Sequence, residues 1–388
     1  MRFLFFLFPF SLCASWADET LLQMTLDEKI GQLFALPFCP LRGEDHLKDW
    51  EILQSEYHIG NAIVKQSNPM TQILRLNQLQ AASKLPLLIL ADAEWGLAMR
   101  MTDTIAFPKN GNLGSIEDLS LIEELGFEIG REAKRVGIHI NLAPVADVNS
   151  NPSNPIIGIR SFGDNPYRVA DLVSAFIRGH ERAGTLACAK HFPGHGDTSI
   201  DSHKGLPLIS VSKKRLGVLE FIPFQKAIDS NVSCIMSAHI LVPQIDPDHP
   251  ASLSSFLLRE ILRQDLNFKG LIISDALNMR ALADRYSVEK IAFLAHGAGT
   301  DLLLYGDHKA PNIDQIIRVD IPRAFNALKE KYLAGSLKDL DESVLRILKV
   351  KEKLRLHEDR FISPEHLLED LSTAYAIDLN KRLLQARK

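Results

Sequence analysis

The chain has 388 residues, of which 46% are hydrophobic and 24% are charged, and its formal net charge at pH 7 is -4. A globular chain of this length and composition can bury a sizeable core, as one large barrel or as two smaller domains. Because there is no basic excess to neutralise phosphates, we expect no nucleic acid partner. A neutral small molecule or a sugar fits the composition better.

The amino-terminal segment has the pattern of a secretory signal. Arg2 precedes an apolar run that ends at Ala14, and small residues follow at Ser15 and Ala17. We therefore predict a signal peptide over residues 1–17, cleaved near Ala17, and an exported protein that is periplasmic or secreted. An uncleaved membrane anchor is the alternative. Since the run is shorter than the ~20 residues of a spanning helix and Pro9 interrupts it, we expect no stable membrane insertion.

Eight short apolar runs alternate with amphipathic segments along the chain. The runs are GQLFALPF, HIGNAIVK, PLLILADAE, GIHINLAPVADV, GTLACAKHFPGH, VSCIMSAHI, KGLIISDAL and GTDLLLYG. Their continuous apolar character is typical of strands buried on both faces, as in a parallel sheet covered by helices. Eight strands alternating with helices predict an α/β fold, a (β/α)8 TIM barrel in a single domain over residues 18–356, rather than an open doubly wound sheet.

The segments between the runs have helical periodicity. One helix is predicted to begin after Asp164, as a cap, with Pro166 in its first turn. Another is predicted to open at Ser115, with Asp118 three residues later as in a capping box. The chain after the eighth run is helical and charged, and residues 357–388 are predicted to form a carboxyl-terminal helical tail that packs on the barrel.

Ionisable residues stand at the ends of five of these runs. They are Asp92 and Glu94 after the third run, Asp147 after the fourth, Lys190 and His191 after the fifth, His239 after the sixth and Asp275 after the seventh. In a barrel these strand ends share one rim, which is where active sites lie. The pattern therefore predicts a catalytic barrel.

The loop that follows the fifth run, KHFPGHGDTSIDSH from Lys190 to His203, carries three histidines, one lysine and two aspartates. A Gly/Pro-rich loop with this many ionisable groups lets side chains converge on a ligand, although a solvated loop is the simpler alternative. Histidine and aspartate also suit zinc or iron, so a metal site built from His191, His195 and His203 is a further alternative. Since neither an H-x-H pair nor an HExxH helix is present, we expect no metal and no cofactor.

Asp275 directly follows the seventh apolar run. At this position an aspartate can cap the next helix. It can equally act as a nucleophile that a rigid strand end aims into the barrel mouth. The residues alone leave both interpretations open.

Taken together, these motifs resemble the family-three glycoside hydrolases, and within them the NagZ-type β-N-acetylglucosaminidase branch. The resemblance covers roughly residues 22–356. It rests on Lys190 to His203 followed by Leu206 and Pro207, on Asp92 with Glu94 and Arg100, on NLAPVADVN with IGIRSFG (Ile157 to Gly163), on SDALNM around Asp275, and on DESVLRILKVKEKL.

The resemblance implies a retaining glycosidase in which Asp275 is the nucleophile. It also implies that His203 is the acid/base residue, with Asp201 as its partner. This is sensible chemistry, because a neighbouring carboxylate favours the protonated imidazole and fixes its orientation. By the same resemblance, the residues that bind the sugar are Asp92, Arg100, Arg160, Lys190 and His191.

The implied reaction is hydrolysis of terminal non-reducing β-linked N-acetylglucosamine, with peptidoglycan fragments (muropeptides) as the natural source, by a monomer. Alternatives are a phosphorolytic β-N-acetylglucosaminidase, a β-glucosidase of the same family, and a sugar-binding barrel without activity. The sequence departs from the family after Asp92, where the usual Gly-Arg pair is replaced by the apolar Leu97 and Ala98. We expect the neighbouring Trp95 to stack on or near a sugar.

Overall fold

The structure is a computed structural model that describes residues 15–306 and 312–387. Most of the predicted signal peptide, up to residue 14, lies outside the described residues. The predicted cleavage site at Ala17 lies inside the first helix, α1 (Trp16–Gln23), which Ser15 caps, and the Ala17 side chain is buried.

Each of the eight predicted runs contains a strand, and all the strand pairs are parallel. The strands are β1 (Phe34–Phe38), β2 (Asn61–Val64), β3 (Leu88–Ala91), β4 (Ile140–Asn141), β5 (Leu186–Phe192), β6 (Cys234–Ser237), β7 (Leu271–Ser274) and β8 (Leu303–Leu304). Each strand from β1 to β6 pairs with the next in sequence, and β8 pairs with β1. A bridge between Ile273 and Leu302 joins β7 to the start of β8 and closes the sheet. The predicted (β/α)8 barrel is confirmed.

Helices surround this barrel. The α-helices after α1 are α2 (Leu26–Gln32), α3 (Glu44–Glu56), α4 (Pro69–Ala82), α5 (Leu119–Arg135), α6 (Pro166–Ala183), α7 (Lys213–Val218), α8 (Phe221–Asp229), α9 (Arg280–Ala283), α10 (Val288–Ala298), α11 (Ile313–Gln315), α12 (Ile321–Leu333), α13 (Leu340–Lys353), α14 (Leu367–Asp370) and α15 (Ala374–Gln385). Two π-helical segments, Phe256–Asp265 and Ile316–Asp320, and short 3-10 turns complete the ring. In the described part of the chain, no helix is both long and apolar enough to cross a membrane.

Two predicted helix caps were wrong by a few residues. α6 is capped by Asn165, whose side chain accepts hydrogen bonds from the main chain of Tyr167 and Arg168, and not by Asp164. α5 begins after Asp118, which accepts from the Ser120 amide at 2.9 Å. In each case the asparagine or aspartate directly before the first helical residue reaches the free amides of the first turn, because only that position brings its oxygen close enough.

The carboxyl-terminal helices α14 and α15 pack against α5 on the outside of the barrel. Leu367 and Leu371 share a buried cluster with Ala133 at the end of α5. Leu379 and Leu383 of α15 share a larger buried cluster with Ile122, Leu125 and Ile129 of α5.

Candidate active site

A pocket opens at the carboxyl-terminal rim of the barrel, lined by residues of β2 to β8 or of the segments that follow them. Of the predicted site residues, Asp92, Arg100, Arg160, Lys190, His191, His203 and Asp275 line it. The eighth, Asp201, is hydrogen-bonded to His203. The barrel thus brings all the predicted site residues to one place, although they are spread along nearly two hundred residues of sequence.

Asp275 stands directly after β7, and its amide donates to Ser237 of the neighbouring strand at 2.9 Å. Its Oδ1 accepts the Ala276 amide at 2.7 Å. The helix that follows, α9, begins only at Arg280 and has Met279 as its first flanking residue. Asp275 therefore does not cap this helix. Of the two interpretations of this residue, helix cap and nucleophile, the first is excluded.

The Asp275 carboxylate is charged although it is partly buried. Burial by itself would raise its pKa. The imidazoles of His239 and His191, together with the Ala276 amide, lower the pKa by more than burial raises it, so the net shift is downward. At neutral pH the side chain is therefore an anion at the base of the pocket.

His203 and Asp201 form a close pair on the loop after β5. The Nδ1 atom of His203 lies 2.8 Å from Oδ1 of Asp201, and the same oxygen accepts the His203 amide at 2.9 Å. Because the ionised carboxylate can only accept, Nδ1 carries a proton in this geometry. The side chain of His203 is 11% exposed and that of Asp201 is 7% exposed, so the imidazole faces the pocket with the carboxylate behind it.

A network of alternating charges forms one wall of the pocket. Lys190 Nζ lies 2.9 Å from both Asp92 Oδ1 and Glu94 Oε1. Arg100 donates to Asp92 at 2.7 Å, and Arg160 donates to both oxygens of Glu94 at 2.7 and 3.0 Å. Burial would raise the pKa of Asp92, but Lys190 and Arg100 outweigh it and hold that pKa well below its usual range. The five charged groups of this network are thus held in fixed positions.

Glu94 belongs to this network, although the sequence analysis named it only as a strand-end residue and as part of the family resemblance, without assigning it a role. Burial acts to raise its pKa, and the paired Arg160 and Lys190 lower it far more. The signal that could have identified its role is its position two residues after Asp92, on the same turn beyond β3.

Asp147 is a second residue that the sequence placed on the rim without assigning it a role. Its side chain is fully buried, and its Oδ2 lies 2.7 Å from Nδ1 of His191. Its Oδ1 accepts the amides of His191 at 3.2 Å and His195 at 2.6 Å. Asp147 therefore fixes both the imidazole of His191 and the first part of the loop.

The three histidines proposed as metal ligands each direct Nδ1 to an oxygen of the protein itself. These oxygens belong to Asp147, Thr198 and Asp201. Among residues 15–306 and 312–387 there is no group of three or more histidine, cysteine, aspartate or glutamate side chains arranged to hold a metal ion.

Trp95, from the segment that departs from the family pattern, lines the pocket and is partly exposed. The ammonium group of Lys109 lies 4.8 Å from the centroid of its ring. Leu97 begins a short 3-10 turn that leads to Arg100. An aromatic side chain thus stands beside the charged wall of the pocket.

The chain was compared with known proteins. It matches the glycosyl hydrolase family 3 N terminal domain over residues 25–350. Beta-hexosaminidase A of Pseudoalteromonas piscicida is 34% identical over 341 residues, which are 78% of this chain. The matched part is 54% of that relative, so the chain spans about half the length of this curated protein.

Two solved structures have the same fold at their core. A glycoside hydrolase family 3 beta-N-acetylglucosaminidase from Paenibacillus sp. superposes with a TM-score of 0.86 and 33% identity, covering 94% of this chain and 69% of that one. A beta-glucoside phosphorylase superposes with a TM-score of 0.84 and 28% identity, covering 95% and 66%. The match of the family domain over most of the barrel establishes that this chain belongs to glycosyl hydrolase family 3.

Proposed function

We propose that the protein is a retaining exo-β-N-acetylglucosaminidase that hydrolyses terminal non-reducing β-linked N-acetylglucosamine. The natural source of this sugar would be peptidoglycan fragments, which an exported enzyme would meet outside the cytoplasm. The observation that carries the proposal is the presence, in one pocket, of an ionised and partly buried carboxylate, Asp275, and a histidine paired with a carboxylate, His203 with Asp201.

In the first step a carboxylate oxygen of Asp275 attacks the anomeric carbon of the terminal sugar. The bond from this carbon to the glycosidic oxygen breaks as His203 gives a proton to that oxygen. Since Asp201 holds Nδ1, the proton that is transferred is the one on Nε2. Asp201 also fixes the orientation of the imidazole for this transfer.

In the second step water attacks the same carbon, and the bond to Asp275 breaks. His203 is now neutral and accepts a proton from the water, so both catalytic groups return to their starting states. Two displacements at one carbon restore the β configuration. The reaction therefore proceeds with retention.

The charged wall would hold the sugar during both steps. Lys190, Arg100 and Arg160 are donors, Asp92 and Glu94 are acceptors, and their mutual ion pairs fix them before the substrate arrives. Prepositioned charged groups form hydrogen bonds of defined geometry with hydroxyl and carbonyl oxygens. Sugar binding therefore requires little further ordering of these side chains. The relatives named beta-hexosaminidase and beta-N-acetylglucosaminidase support an N-acetylated sugar as the substrate.

A panel of nitrophenyl β-glycosides, assayed with the purified chain, tests both the activity and the sugar. We expect the β-N-acetylglucosaminide to be cleaved fastest, and Asp275→Asn to lower kcat by about 10³-fold or more, as removal of a nucleophile does. The matched control is Asp248→Asn, at an exposed aspartate remote from the pocket lining, which should leave the rate unchanged. More than a tenth of the activity remaining in Asp275→Asn would remove this residue from the nucleophile role.

Phosphorolysis is a second candidate, because one solved structure of similar fold is a beta-glucoside phosphorylase. The pocket lining also contains one more Lys or Arg side chain than Asp or Glu side chains. This excess of positive charge would allow an anionic acceptor such as phosphate to bind. In that reaction phosphate replaces water in the second step. Mass spectrometry of the products formed in phosphate buffer separates the two, since only phosphorolysis yields a sugar phosphate.

A further inference from the structure

Ser202 lies between the two members of the acid/base pair and has no role in the chemistry above. Its side chain is 2% exposed, although Ser199, Ile200 and Lys204 of the same loop are exposed to solvent. Its hydroxyl oxygen lies 3.3 Å from Nε2 of His195. The loop tip therefore turns Ser202 inward, onto a histidine that is itself part of the pocket wall.

His195 is held rigidly from several sides. Its amide donates to Asp147 at 2.6 Å, and its carbonyl oxygen accepts the side-chain amide of Asn154 at 2.8 Å. Its Nδ1 lies 2.8 Å from the hydroxyl of Thr198. The residue is 2% exposed, so its imidazole offers a fixed point against which a more exposed loop can be positioned.

The direction of the bond between Ser202 and His195 follows from the neighbouring contacts. The Thr198 hydroxyl donates its one proton to the carbonyl oxygen of His195 at 3.0 Å, so it must accept from Nδ1. Burial, with a contribution from the nearby His191, lowers the pKa of His195 to about 4. The neutral ring thus carries its proton on Nδ1, and Nε2 accepts a hydrogen bond that Ser202 donates.

We propose that this hydrogen bond positions the general acid: Ser202 and His195 hold the loop so that His203 stays in reach of the glycosidic oxygen. The inference rests on the proposed function, since it needs His203 to be the acid. Ser202 and His195 are positioning residues and do not themselves exchange a proton with the substrate. Because proton transfer needs hydrogen-bond reach, a small displacement of His203 slows the reactions that depend on its proton.

The test compares kcat/KM for two β-N-acetylglucosaminides, because this constant reports the step in which the leaving group departs. Dinitrophenolate leaves without protonation, whereas methanol needs the acid. We expect Ser202→Ala to lower kcat/KM of the methyl glycoside about 3- to 10-fold, as loss of one neutral hydrogen bond does, and that of the dinitrophenyl glycoside less than twofold.

Two further variants make the result specific. Ser199→Ala, at an exposed serine of the same loop, is the control and should leave both constants unchanged. His195→Phe removes the acceptor but keeps a ring, so it should show the same dependence on the leaving group. Combined with Ser202→Ala it should add nothing further, because both changes break one bond.

Suppose first that His203→Ala discriminates between the two leaving groups. This inference alone is then overturned if Ser202→Ala slows both substrates equally or does not slow the methyl glycoside. It is also overturned if the losses in the double variant are additive. If His203→Ala does not discriminate between them, His203 is not the acid. In that case the proposed mechanism and this inference both fail.

Discussion

Glu94 is a buried charge that depends on its ion-pair partners. The side chain is 3% exposed, and its two oxygens are shared between Arg160 and Lys190. A carboxylate in such a place is tolerated only while it is paired, because removing one partner leaves an uncompensated charge at a cost of about 3 to 5 kcal/mol. The same pairing holds Arg160 and Lys190 in place at the pocket, so under the proposed function stability and sugar binding depend on one side chain.

The pH dependence of Glu94 has a definite sign. Its pKa is lower in the folded protein than its usual value of about 4.3 in the unfolded chain. The unfolded state therefore binds more protons at acid pH. The stability that this group contributes is fully present above about pH 4.3 and is lost as the pH falls through the folded-state pKa.

We expect Glu94→Gln to lower the free energy of unfolding at pH 7 by about 2 to 4 kcal/mol, and by less at pH 3.5. Urea unfolding at the two pH values measures this difference. Glu369→Gln is the matched control, since this exposed glutamate pairs only with an exposed histidine and should change stability by less than about 0.5 kcal/mol. An equal loss at both pH values would contradict the electrostatic explanation.

The loops after β4 and β5 act as one structural unit. Gly196 approaches the first loop so closely that a Cβ atom on it would lie 1.7 Å from the carbonyl oxygen of Val148. Asn154 joins the two loops by donating to the carbonyl oxygens of His195 and Gly196 and accepting the amide of Ile157. Since one loop carries Arg160 and the other carries His203, their contact sets the distance between the binding wall and the acid.

Gly196→Ala should therefore force the two loops apart and lower kcat/KM by about 10²-fold, the effect of roughly 1 Å of misplacement. Gly217→Ala is the control: nothing lies within 4 Å of the new methyl group, and alanine in helix α7 should raise stability slightly. The two variants are compared by kinetics with an aryl glycoside and by thermal unfolding. Normal activity in Gly196→Ala would mean that the loops can separate without effect on the site.

The elements differ in how far the sequence could predict them. The strands were predictable because a continuous apolar run records burial on both faces, and this signal is local. The caps of α5 and α6 were displaced because several polar residues precede each helix, and only the final fold selects which one reaches the first amides. The contact at Gly196 was not predictable, since it depends on a loop about fifty residues away in sequence.

At the scale of the whole molecule, closure of the barrel is what creates the site. Asp92, Lys190, His191 and Asp275 could be predicted because they end apolar runs, and the ends of parallel strands share one rim. Arg100 and Arg160 stand on 3-10 turns away from the strand ends, so only the family resemblance indicated them. The pairing of Glu94 with Arg160 and Lys190 joins three separate segments, so no single stretch of sequence shows which residues pair.

The central claim is that Asp275 and His203 act on the same sugar, because the closed barrel brings them to one pocket, and that Asp275 forms the covalent bond. His203→Ala with a dinitrophenyl β-N-acetylglucosaminide provides the direct test, because this leaving group needs no acid in the first step whereas the second step lacks its base. The intermediate should therefore accumulate.

Peptide mass spectrometry of this variant, quenched with acid during turnover, is the decisive measurement. The account predicts that one N-acetylhexosamine is attached to Asp275. An unmodified Asp275 during steady turnover, or the sugar on another carboxylate, would contradict it.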